Sequence, residues 1–196
     1  FRSFFYLCSH FTKSAELSLS HVSLDNLEKY GDLRAPMSGI IRRVWKLIPK
    51  RHTLYPDLIQ EFIEMMNIDQ KAVNQNALDS YFTAIQSEFT ETNGSTEKIK
   101  TLTEQAFDKS TFQQSFSDFF FSSLQARFQQ AGGPLAVKWE EFRSTQAYID
   151  LICKYEGAAP PDPKNADNQI RANHFLLAYL KENDRIVPFV KYLHLM

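Results

Sequence analysis

The chain is poor in the features that usually betray a function. Its two cysteines, Cys8 and Cys153, lie far apart, each in an apolar stretch where a thiol behaves as a small hydrophobe. That excludes a disulfide-stapled miniature fold and predicts two unpaired thiols in a reducing, intracellular setting, cytoplasmic or nuclear. Of the six glycines, five sit as punctuation and Gly39 falls inside a helical pattern, so neither a GxGxxG turn nor a Walker loop is present to cradle phosphates. Twenty-two Lys and Arg against 23 Asp and Glu give a formal charge of −1, which excludes a diffuse attraction to nucleic acid or anionic membrane. The apolar run Phe4-Phe5-Tyr6-Leu7-Cys8 is far short of the ~20 residues of a membrane span and shorter than a signal-peptide core.

Catalytic and metal-binding patterns are equally sparse. His21, His52, His174 and His194 are isolated, and no HExxH or CxxC spacing occurs. Cys8 and His10 are two apart, which on a helix points them away from each other rather than into a nucleophile and base pair. Glu61 with Glu64, and Glu88 with Glu91, share helix faces and read as solvated surface pairs. No catalytic residue, cofactor or metal is therefore expected from the sequence.

Apolar residues at helical spacing are what the chain does have. Met37-Ile40-Ile41-Val44-Trp45-Ile48, Leu58-Ile59-Phe62-Ile63-Met66 and Phe112-Phe116-Phe119-Phe120-Leu124-Phe128 each form a stripe that must be buried against another. The seventeen phenylalanines are read chiefly as core, because large aromatics at this spacing supply burial area. In Phe119-Phe120-Phe121 the first two rings fall on the main stripe and the third almost opposite, so this helix is expected to bury two faces. Trp45, Phe116, Phe119, Phe120, Trp139 and Ile152 are the expected core residues.

Helix boundaries follow from the turn residues. A first helix is expected over residues 2–13 and a second over 23–33. Pro36 opens a third, which Pro49 closes after Ile48, and Pro56 opens a fourth, the short link favouring an antiparallel hairpin. Asp69 is the expected cap of a helix reaching about Thr90, with Val73, Leu78, Phe82, Ile85 and Phe89 inward. Asn93-Gly94 is a turn, and Ser95 is the expected cap of the next helix; a capping box would need Glu or Gln at the position held by Lys98. Ser110 starts the Phe-rich helix, Gly132-Gly133 ends it, and Pro134 opens another that carries Leu135, Trp139 and Phe142 toward Tyr155. Residues 158–165, with three of the eight prolines, read as a flexible linker before the last helices.

One polar cluster stands out. On a helix Arg42, Arg43 and Lys46 fall opposite the apolar stripe, and Lys50, Arg51 and His52 follow directly, so six potentially cationic groups share one face and its exit loop. Asp57, Glu61 and Glu64 of the following helix are expected to neutralise part of it. The patch reads either as a solvated face with scattered ion pairs or as a binding site for phosphates or an acidic partner.

The expected fold is all-α: antiparallel helix pairs over residues 1–196 as a single domain. By fold-level analogy this resembles a HEAT-like or armadillo-like array, with a compact helical bundle as the alternative. Beginning at Phe1, the chain is expected to be a piece of a larger protein. The expected function is a non-enzymatic protein-protein interaction or scaffold domain that binds another protein. Nucleic-acid or phosphate-rich ligand binding through residues 42–52 is the alternative, and an enzyme with a site assembled from dispersed residues is a third reading.

Overall fold

A computed structural model describes residues 2–18, 32–109, 112 and 116–143. The helix expected over 23–33, apart from its last two residues, the linker 158–165, Ile152, Cys153 and His174 lie outside the described residues. The described residues are helical, with no strand among them: α1 (Arg2–Ser18), α2 (Arg34–Leu47), a 3-10 turn (Arg51–Thr53), α3 (Tyr55–Met66), α4 (Lys71–Glu91), α5 (Glu97–Lys109), α6 (Phe116–Ala131), and the short α7 (Gly133–Val137) and α8 (Trp139–Arg143). Among them no helix is long and apolar enough to cross a membrane.

The centre of the assembly is α4, which packs against α2, α3, α5 and α6. Its 21 residues are buried on a broad front from Val73 through Ala77, Tyr81 and Ile85 to Glu88. Cross-helix pairs fix the directions. Ser38 meets Asn76, Arg42 meets Asp79 and Trp45 meets Ser80, so α2 runs parallel to α4. Tyr81 meets Thr103 and Glu88 meets Lys98 and Ile99, so α5 runs antiparallel. The turn between them is the expected Asn-Gly pair, with Asn93 at φ 55° and Gly94 at φ 100°, the left-handed region that these two residue types tolerate best.

The hairpin expected from the third and fourth predicted helices is looser than the short link suggested. Both α2 and α3 find their main neighbour in α4, and they meet each other through Trp45, whose ring lies 6.3 Å from Tyr55 and 5.3 Å from Phe62. The helix α1 lies over α2 and α3, pressing Phe5 edge-on against Trp45 at 5.7 Å. Cys8, buried in the same face, is a free thiol.

Several boundaries and faces differ from the sequence expectation. Gln70, not Asp69, caps α4, its side chain accepting from Val73 N at 2.8 Å. The buried face of α2 runs Arg34, Ser38, Ile41, Trp45, which leaves Ile40 at 37 % exposure. Phe119 is only partly buried, whereas Phe121, on the other face of α6, is buried near Trp139 at 6.3 Å. Trp45, Phe116, Phe120 and Trp139 are core, as expected. Both Gly132 and Gly133 adopt positive φ, and the helix that Pro134 opens breaks at Lys138, so that Leu135 and Trp139 can both turn inward.

Candidate functional site

The basic patch is assembled around the C-terminal end of α2, and the structure divides its six members into two sets. Arg42 pairs with Asp79 of α4 at 3.0 Å, and Asp79 also holds Arg127 of α6 at 2.5 Å. One carboxylate thus ties three helices together. Arg51 caps α2: Nε donates to Trp45 O at 2.8 Å, Nη2 to Lys46 O at 2.7 Å and Nη1 to Ser87 Oγ at 2.6 Å. A guanidinium at a helix C-terminus satisfies the carbonyls left over there and meets the negative end of the helix dipole. His52 Nδ1 lies 2.7 Å from Glu91 Oε2.

The second set is Arg43, Lys46 and Lys50. All three are exposed and make no ion pair among the described residues. Between them stands Leu47, a leucine 81 % exposed at the end of an otherwise amphipathic helix. The counterions of the first set come from α4, whereas α3 was the expected source. Glu61 and Glu64 of α3 instead hold Lys13 of α1, at 2.7 and 2.6 Å, and Glu61 also accepts from Ser9.

Beside the patch, Lys46 lines a cleft of about 300 Å³ between α2, α4 and α6, together with Asp79 and Thr83 of α4. Sequence reasoning missed the α4 and α6 side of this cleft. The signal was available as a polar stripe, Asp79-Thr83-Gln86, on a helix otherwise read for its apolar residues, and as Arg127-Gln130 one turn apart on α6.

Lys50 carries a local strain. It sits at φ 51°, ψ 45°, a left-handed conformation that costs a side-chain-bearing residue roughly 1–2 kcal/mol. Its carbonyl accepts from Thr53 N and Thr53 Oγ1, which pins the turn that presents its ammonium group. Lys50→Gly is expected to raise stability by up to about 1 kcal/mol, once the extra freedom of glycine in the unfolded chain is subtracted. The denaturant midpoint measures it, and a lower midpoint for the glycine variant refutes the strain.

Elsewhere the described residues bring together no group of three metal-ligating side chains. Burial pushes the Cys8 thiol up from its usual range, the opposite of what an activated nucleophile requires. Tyr55 is pushed up to about 12, by burial first and then by the nearby Glu91, and its hydroxyl donates to Ala84 O. Glu88, expected as a solvated neighbour of Glu91, is instead buried, its carboxylate accepting from Lys98 N and Ile99 N at 2.9 Å each. That is a structural duty. Compared with models of protein families, with curated proteins and with solved structures, the chain matches none.

Proposed function

We propose that this is a non-enzymatic interaction domain that binds another protein through the C-terminal end of α2. The observation that carries the reading is the exposed Leu47 flanked along the chain by Arg43, Lys46 and Lys50, exposed cations that make no ion pair among the described residues. An exposed apolar side chain among long cationic stems is how a protein surface combines burial on binding with electrostatic steering. The strained turn at Lys50 is in keeping with it, since backbone strain persists where a side chain must be held for a purpose. The buried, unpaired Cys8 supports an intracellular, reducing setting.

The expected architectures were a HEAT-like array and a bundle. Contacts of α4 with four other helices support the bundle, because in a solenoid each repeat touches only its neighbours.

A photoreactive residue at position 47 is expected to cross-link discrete proteins in a cell lysate, whereas the same residue at Gln105, exposed on α5, does not. Identical cross-linking patterns at the two positions overturn the reading.

A further inference from the structure

We propose that the partner presents an acidic segment, which lays an apolar side chain on Leu47 and places a carboxylate in the cleft between α2, α4 and α6. The inference rests on the interaction reading above and adds the chemistry of the occupant. Charge points the same way as shape. Asp79 carries one negative charge between the guanidiniums of Arg42 and Arg127, which leaves one positive charge over, and Lys46 in the cleft lining adds a second. A single carboxylate entering the cleft offsets half of this excess. It also finds the amides of Gln86 and Gln130 as donors, while Phe82 and Ala131 give the cleft an apolar wall for the carbon stem behind the carboxylate.

A nucleic acid fits the same surface poorly. Duplex DNA carries one charge per ~1.7 Å and is held by cations that follow its backbone. Here Glu91 stands beside His52, and the cations without an ion pair among the described residues, Arg43, Lys46 and Lys50, are interrupted along the chain by the exposed Leu47. Discrete carboxylates interleaved with an apolar residue satisfy that arrangement, and a continuous polyanion does not.

The test uses a short labelled peptide with several glutamates around one leucine, the same peptide with glutamine for glutamate, and a single-stranded oligonucleotide. The full chain is titrated with each, following fluorescence anisotropy and backbone amide shifts. The acidic peptide is expected to bind and to shift amides of α2 and of the cleft. Lys46→Glu should weaken it by about tenfold or more and Leu47→Ser by several-fold, because one loses a charge match and the other an apolar contact. Lys109→Glu, an equal charge change on α5 away from the cleft, should leave it unchanged; equal losses from Lys46→Glu and Lys109→Glu would show diffuse attraction and overturn the proposal. Binding of the glutamine peptide as tightly as the glutamate one overturns it, as does no binding up to millimolar peptide. Tighter binding of the oligonucleotide, lost in Lys46→Glu, would assign the surface to nucleic acid instead. If position 47 still cross-links discrete proteins while the acidic peptide fails, the interaction reading stands and the acidic partner falls; if position 47 captures nothing specific, both fall.

Discussion

Trp45→Ala is expected to cost about 3–5 kcal/mol, the range for truncating a fully buried aromatic whose site cannot collapse. For a domain of ordinary stability, about 5–15 kcal/mol, that is a large share of the total. The indole is completely buried and lies where α1, α2, α3 and α4 meet: Phe5 and Phe62 pack edge-on against it, Tyr55 is tilted beside it, and Nε1 donates to Ser80 O at 2.9 Å. Four helices cannot all close on the cavity at once. Trp45→Phe separates the contributions, keeping most of the ring while losing the hydrogen bond, and should cost less, with about 1 kcal/mol of its loss due to that bond. The measurement is the urea midpoint at unchanged slope. Hydrogen exchange supplies a second readout, since α1 loses the ring that Phe5 rests on and its amides should exchange faster, while those of α5 change little. A Trp45→Ala variant that melts with the parent would mean that the ring is not the junction of the four helices.

How much of this was legible in the letters depends on whether a signal is local. The helical period located α2, α3 and α6, and the punctuation by Pro36, Pro56, Asn93-Gly94 and Gly132-Gly133 set the starts of α2 and α3, the turn between α4 and α5 and the end of α6 to within a few residues. Rotation about the helix axis was less legible. Ile40 belongs to the apolar stripe by count yet is exposed, because the fold buries Ser38, whose hydroxyl donates to Ala35 O and accepts from Asn76 Nδ2 across the interface. Hydrophobic periodicity sees only apolar letters, so a polar pair facing another polar group inside the fold is invisible to it. The cationic cluster was legible as charge, but its partners were not. Asp79 and Glu91 come from a helix 37 and 39 residues further on, while the nearer Glu61 and Glu64 are drawn to Lys13. Which three cations are left without an ion pair among the described residues is therefore a property of the packing and not of the cluster itself.

Glu88 is the sharpest instance and carries the second large expectation: Glu88→Ala should cost about 2–4 kcal/mol, the combined effect of a lost helix cap and of backbone donors left without acceptors. A capping box looks for Glu or Gln within the new helix, three residues after the cap, and Lys98 and Ile99 fill that region instead. The fold supplies the carboxylate from the end of the preceding helix, across the Asn93-Gly94 turn, where it meets two of the orphan amides of α5 and the positive end of its dipole. Its pH behaviour follows from burial. Desolvation raises the carboxyl above its ordinary 4.5, outweighing the two amide hydrogen bonds, which act in the opposite direction. The folded chain therefore holds this proton more tightly than the unfolded chain. Between the ordinary and the raised value the unfolded state has already released it, so the contribution of Glu88 to stability falls as pH rises through that window and is level above it. Glu88→Gln keeps one acceptor and does not titrate, so it should cost less than the alanine variant. The stability difference between parent and Glu88→Gln should then shift against the parent as pH rises from 4.5. Denaturant titrations of the three proteins at a series of pH values measure both effects. A parent that instead gains on the glutamine variant as pH rises would show that the two amide bonds to α5 outweigh burial, and would place the folded carboxyl below its ordinary value.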